Sequence, residues 1–187
     1  MSFKLRFRIN RAILHALMLT LFFSGLLNMA QAQPHDQGFA IDYLQGESDV
    51  QGLKLAYQHH VDWLSSTHPN LGLLFEASAN FWRYGPANSS DSNAVLAISP
   101  ILRYPLGHAM SLSWDLEFGI GVSVLDDTRF AGKDVSTHYQ FEDRLGLVAW
   151  LTPHETLSVR YLHYSNAGFK RPNPGLDFAS VSYAWYF

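Results

Sequence analysis

The feature that most constrains this chain is a strict alternation of apolar and polar side chains. Met110, Leu112, Trp114, Leu116, Phe118, Ile120 and Val122 fall on one parity, and Ser111, Ser113, Asp115, Glu117, Gly119 and Gly121 on the other. A repeat of two places successive side chains on opposite faces of a strand, and no helix satisfies it. The run exceeds a dozen residues, where strands of ordinary globular proteins average about five or six.

Seven further segments read the same way, at about 38–46, 50–63, 70–83, 93–104, 136–151, 154–166 and 175–187. Pro105-Leu106-Gly107 and Thr152-Pro153-His154 have the composition of tight turns. The connections 84–92, 124–135 and 167–174 are longer and polar or rich in Gly and Pro, and 64–69 is intermediate. Eight long antiparallel strands with short turns at one end and longer loops at the other predict an all-β fold, an eight-stranded transmembrane β-barrel of the bacterial outer membrane. A soluble sandwich or lipocalin-like barrel is the alternative, and it would turn the apolar face inward.

The face assignment sharpens this reading. Leu53, Leu55, Tyr57, Val61 and Trp63 alternate with Lys54, Gln58, His60 and Asp62. Leu73, Phe75, Ala77 and Phe81 alternate with Glu76, Ser78 and Asn80. The inward set collects Lys54, Asp62, Glu76, Arg103, Asp115, Glu117, Glu142, Arg144 and Arg160. An eight-stranded barrel is just wide enough to be filled by side chains, so mixed charges pair with each other rather than line a pore. Pro100 in mid-strand and Asp143 on the apolar face break the pattern, and a bulge beside either would restore the register. Trp63, Trp82, Trp114, Trp150 and Trp185 lie mostly near strand ends, as interfacial anchors do.

The N-terminal 32 residues read as a secretory signal peptide. Lys4, Arg6, Arg8 and Arg11 form its basic head, Ala12 to Leu27 its apolar core, and Ala30-Gln31-Ala32 a small-x-small cleavage site. Residues 33–187 are then a single domain carrying nine basic and 16 acidic side chains, a balance that argues against nucleic acid as a partner. The chain has no cysteine, so neither disulfides nor thiolate-bound metals stabilise it. After residue 33 no apolar run approaches the 18 or so residues of a membrane helix.

One segment carries chemistry. His163 and Ser165 stand two apart in Tyr161-Leu162-His163-Tyr164-Ser165-Asn166-Ala167-Gly168, hence on one face and about 6.6 Å apart along the strand. Leu157, Val159 and Tyr161 share their parity, so both point to lipid, while Arg160 points inward. In the last strand Asp177 shares the parity of the outward residues Ala179, Val181, Tyr183, Trp185 and Phe187. Polar groups on a lipid-facing surface are costly and mark function. With the N-terminus of the barrel on the inner side, all three lie near the headgroup level of the outer leaflet. The set suits serine hydrolysis: Ser165 as nucleophile, His163 as base, Asp177 as the carboxylate that orients the imidazole. Asn166 and the backbone N–H groups running to Gly168 are the candidate oxyanion donors.

Other features read as ordinary. Gly119-x-Gly121 lacks a third glycine and a following helix. His59 and His60 point to opposite faces, and His108, His138 and His154 lie at strand ends. No cluster has zinc spacing, and the mechanism requires neither metal nor cofactor. Asp126-Asp127 is a solvated loop or, less simply, a divalent-cation site bridging lipopolysaccharide.

The run from His163 to Gly168, followed by Lys170, Pro172-Asn173, Gly175 and Asp177, resembles the C-terminal signature of the PagL-type lipid A 3-O-deacylases. These are eight-stranded outer-membrane barrels of Gram-negative bacteria, and the detailed likeness covers about residues 159–187. The resemblance implies hydrolysis of the ester-linked 3-hydroxyacyl chain at the 3-position of lipid A, with lipopolysaccharide as the partner. It maps His163 and Ser165 onto the family's base and nucleophile, and Asn166 onto an asparagine critical for activity. The family usually has glutamate fourteen residues after the histidine; here Asp177 stands there, about one bond shorter in reach. A non-catalytic barrel for adhesion or envelope stability and an outer-membrane phospholipase are the competing readings. Association of two barrels as a homodimer is left open.

Overall fold

In a computed structural model, residues 36–86 and 91–187 are described. The expected signal peptide, residues 1–32, lies outside the described residues. The strands are β1 (Gln37–Gly46), β2 (Gln51–Val61), β3 (Gly72–Tyr84), β4 (Asp91–Ala109), β5 (Leu112–Leu125), β6 (Arg129–Phe130), β7 (Lys133–Asp134), β8 (Tyr139–Thr152), β9 (Glu155–Ser165) and β10 (Leu176–Tyr186). Eight of them form a closed antiparallel barrel in the order β1-β10-β9-β8-β5-β4-β3-β2. β6 and β7 form a separate hairpin inside the connection from β5 to β8. Closure between the first and last strands pairs Gly38 with Tyr186 and runs to Gly46 with Phe178.

The burial pattern is that of a membrane barrel. Ile41, Tyr43, Leu53, Leu55, Leu116, Phe118, Ile120, Val159 and Val181 are exposed on the outer wall. Asp42, Lys54, Glu76, Arg103, Glu117, Glu142, Arg144 and Arg160 are buried inside it. A soluble barrel would show the reverse. The four cations and four carboxylates of that interior set neutralise one another. Arg144 Nη2 donates to Glu76 Oε1 at 2.6 Å and to Glu142 Oε1 at 2.9 Å. Lys54 Nζ meets Glu76 at 2.8 Å, Arg103 Nε donates to Glu117 at 3.0 Å, and Arg160 Nη1 to Asp42 at 3.0 Å. Tyr164 OH adds a bond to Glu142 Oε2 at 2.7 Å.

Next to this polar layer, the end of the barrel that carries the β5–β8 connection is filled by apolar side chains. Trp82, Tyr164, Phe178, Leu44, Leu162 and Leu176 form one buried cluster, into which the connection from β5 to β8 inserts Phe130 of β6 and Val135 just after β7. The hairpin therefore caps the barrel mouth. Two-residue strands carry no periodicity, so nothing in the sequence marks this hairpin.

Several expectations are corrected. Pro105-Leu106-Gly107 is not a turn: β4 runs on to Ala109, with a register shift between Pro105 and Gly107. The turn is Met110-Ser111, both at positive φ (52° and 63°), as a two-residue hairpin of type I′ requires. Met110 therefore leaves the alternating face. Pro-Leu-Gly chemistry produces a bulge here because the ladder resumes beyond it.

Pro100 and Asp143 need no bulge. Pairing continues in unchanged register past both, and the second shift lies instead between Trp150 and Thr152. Among the inward candidates, Asp62 falls beyond the end of β2 and is exposed. Asp115 is half-buried and accepts a hydrogen bond from Trp150 Nε1 at 2.7 Å. Trp82 is no interfacial anchor, since it is buried in the apolar cluster.

The centre of the charge network is Arg144. Replacing it with alanine leaves Glu76 and Glu142 short of a buried partner, and a loss of about 3–5 kcal/mol is expected for such a broken network. Urea unfolding of the barrel in detergent micelles, followed by tryptophan fluorescence, measures it.

Candidate active site

The site is built by register. In the β9–β10 ladder Asp177 is the direct partner of His163, and in the β8–β9 ladder Asp143 is its partner on the other side. His163 is therefore flanked by a carboxylate on each neighbouring strand, all three on the outward face. Phe141 is the partner of Ser165. A direct cross-strand pair holds Cβ atoms about 4.5–5.5 Å apart. That is close enough for the short aspartate: His163 Nδ1 lies 2.6 Å from Asp177 Oδ1. A carboxylate only accepts, so Nδ1 carries the proton in this bond and Nε2 is the nitrogen left to take one.

Ser165, the other outward residue of this strand end, is half-buried, as are His163 and Asp177. Among the described residues Ser165 and His163 share no hydrogen bond. Such bonds commonly tighten only with substrate in place.

The imidazole rests on a glycine. Gly175 has φ +72°, and a Cβ built there would stand 2.6 Å from His163 Cε1. Both the left-handed backbone and the contact exclude a side chain. The Gly175 carbonyl in turn accepts a hydrogen bond from Lys133 Nζ at 3.1 Å, and Lys133 also pairs with Glu47 at 2.7 Å. The capping hairpin is thus tied to the strand that carries Asp177. Lys133 and Asp177 share the wall of a cleft of about 60 Å³, with Glu47, Ser48, Val50 and Phe130 among its other walls.

Asn166 has the opposite parity to Ser165 and is wholly buried. Its amide donates to Val135 O and Lys170 O, both at 3.0 Å, and its Oδ1 accepts from Gly168 N at 3.0 Å. Its backbone N–H donates to Asn173 Oδ1 at 3.1 Å. Its side chain builds the turn and ties it to the neighbouring loop instead of facing the outer surface. Both N–H groups at Asn166 and Gly168 are occupied in this conformation. Between them Ala167, at φ +52° and exposed, makes no hydrogen bond among the described residues. Phe169 N closes the turn on Asn166 O at 3.0 Å.

The structure thus brings together His163, Ser165 and Asp177, and holds Asn166 and Gly168 in the adjoining turn. Two participants were not nominated from sequence. Tyr161 donates its hydroxyl to Asp177 Oδ1, and Lys133 arrives from a distant loop. Asp143 had left a signal, the only acidic residue of β8 on the apolar face, but its partner was invisible without the register.

A family model described as lipid A 3-O-deacylase (PagL) matches residues 51–186. The lipid A deacylase PagL of Bordetella bronchiseptica is 34% identical over 161 residues, which cover 84% of this chain and 88% of that protein. The lipid A deacylase PagL of Pseudomonas aeruginosa is 27% identical over 157 residues, covering 84% and 89% respectively. Among solved structures, the crystal structure of the outer membrane enzyme PagL superposes with a TM-score of 0.69 at 25% identity, over 80% of this chain and 99% of that one.

A methyl group at Gly175 is expected to displace the imidazole while leaving the barrel closed. In ¹⁵N-labelled Gly175→Ala protein in micelles, the hydrogen-bonded Nδ1 proton of His163 should vanish from the ¹H spectrum. Heat-modifiable gel mobility should be unchanged, and a retained resonance would contradict the packing argument.

Proposed function

The chain belongs to the PagL family of lipid A 3-O-deacylases, and we propose that it hydrolyses the ester-linked 3-hydroxyacyl chain at the 3-position of lipid A with Ser165 as nucleophile. It is a carboxylic ester hydrolase built as a β-barrel of the outer membrane, and lipid A is its substrate. The observation that carries the residue assignment is the His163–Asp177 hydrogen bond on the lipid-facing side of the barrel, with Ser165 on the same face two residues along.

In this reading His163 Nε2 takes the proton of Ser165 Oγ as the oxygen attacks the ester carbonyl. Asp177 holds the Nδ1–H tautomer and stabilises the imidazolium. Collapse of the tetrahedral intermediate breaks the bond to the glucosamine oxygen, and His163 returns its proton to that oxygen. The products of this half are 3-O-deacylated lipid A and an acyl-Ser165 ester. A water, deprotonated by the same imidazole, then releases the 3-hydroxy fatty acid and restores Ser165.

The developing oxyanion is met by a backbone N–H group of the 166–168 turn, where those of Asn166 and Gly168 are already engaged. Ala167 N–H, unengaged among the described residues and close along the chain to Ser165, is that donor. Asn166, wholly buried, acts in this reading by shaping that turn and not by touching the ester.

The membrane supplies the geometry. His163, Ser165 and Asp177 lie at the outer end of β9 and β10, beside the longer loops, so we read the site as level with the outer leaflet's headgroups. An ester one bond from the sugar ring reaches that depth without leaving the membrane. Exposed Arg171, next to Lys170 in the 167–174 loop, is suited to the lipid A phosphates. Residues 33–187 are read as the exported protein once the 1–32 signal is removed.

Mass spectrometry of lipid A from cells producing the wild type or Ser165→Ala tests this. Loss of one 3-hydroxyacyl group is expected with wild type alone. Identical spectra from the two, or fatty acid released from phospholipid vesicles instead, would overturn it. Asp177→Asn, which misorients the imidazole, is expected to slow turnover on the order of 10²–10⁴-fold.

A further inference from the structure

Asp177 has a second tether besides His163. Tyr161 OH donates to Asp177 Oδ1, the same oxygen that accepts from His163 Nδ1. We propose that Tyr161 is a positioning residue for the hydrolysis, holding the Asp177 carboxylate in line with the imidazole through its hydroxyl. The inference rests on the assignment of Asp177 made above.

The register explains how the contact arises. Tyr161 and His163 are successive outward residues of β9, and the direct partner of Tyr161 on β10 is Ala179. Alanine there leaves the ring free to lean across the diagonal toward Asp177, a span that long aromatic side chains cover. A larger partner would occupy that space.

The need for a second donor follows from where the carboxylate sits. Asp177 lies on the outer wall among Tyr161, Val159 and Val181, which are 52%, 61% and 49% exposed and face lipid. Acyl chains pressed on this face strip water from the carboxylate, and a carboxylate without replacement hydrogen bonds is costly in such a setting. A single bond from His163 also leaves the carboxylate free to rotate about its own side-chain torsions. The tyrosine hydroxyl removes that freedom and substitutes for a lost water. Its ring meanwhile presents apolar surface to lipid and only its polar tip to the site, an arrangement tyrosine favours at such boundaries.

The test uses the full-length exported barrel refolded in detergent micelles, with purified lipid A as substrate. Tyr161→Phe keeps the ring and removes only the hydroxyl. It is expected to lower kcat about tenfold, the size of one hydrogen bond to a charged group, with KM within about twofold of wild type. The same substitution added to Asp177→Asn is expected to lower kcat no further, because Tyr161 acts only through that carboxylate.

A wild-type kcat for Tyr161→Phe overturns the proposal. So does an equal fold-loss in the Asp177→Asn background, which would mean that Tyr161 acts independently. If Asp177→Asn alone retains full activity, the assignment of Asp177 itself fails and takes this inference with it. Heat-modifiable mobility identical to wild type excludes misfolding as the cause of any loss.

Discussion

A strand in hydrocarbon has no water to satisfy its backbone, so every edge must be paired, and closure of β1 against β10 is what permits the rest of this structure. The pairing runs from Gly38–Tyr186 to Gly46–Phe178 and leaves no open edge in the barrel wall. The same strand that closes the barrel carries Asp177 one residue beyond the last pair with β1. Stability and candidate chemistry therefore depend on one register. A slip of a single residue along β10 would turn Asp177 into the barrel and Phe178 out to lipid.

The barrel separates two kinds of polar group. Inside, four cations and four carboxylates are matched and wholly enclosed, and their contacts span strands far apart in sequence, such as Lys54 with Glu142 and Arg160 with Asp42. Outside, Tyr161, His163, Ser165, Asp177 and Asp143 form a small polar island on a largely apolar wall. The inner network is closed upon itself. Among the described residues the outer one retains an imidazole nitrogen and a serine hydroxyl without protein partners, which is what a candidate site for an incoming ester requires.

The mouth of the barrel links the two. Phe130 and Val135 from the connection between β5 and β8 pack on Trp82, Tyr164 and Phe178, and Lys133 from the same hairpin reaches Gly175. Asn166 bonds Val135 and Lys170, so the turn after Ser165 is fastened to that cap. Loops at a membrane surface are ordinarily the least constrained part of a barrel. Here apolar burial on one side and side-chain amide bonds on the other hold the loop that borders the site.

The alternation of Leu112 through Val122, and its counterparts in the other strands, was enough to establish eight strands, their faces and most of the inward charges, because a period of two gives alternate side chains to opposite walls; it misplaced Asp62 and Asp115 and passed over the buried Asp42. It also placed His163, Ser165 and Asp177 on a common face. Local composition misled where a bulge and a turn use the same residues, so that Pro105-Leu106-Gly107 stays within β4 and Met110-Ser111 turns the chain. Partners from remote strands were beyond reach. Asp143 opposite His163, Tyr161 leaning over Ala179 to Asp177, and Lys133 from the capping hairpin depend on register between strands. Periodicity along one strand specifies which way a side chain points. Only pairing across strands specifies what it meets.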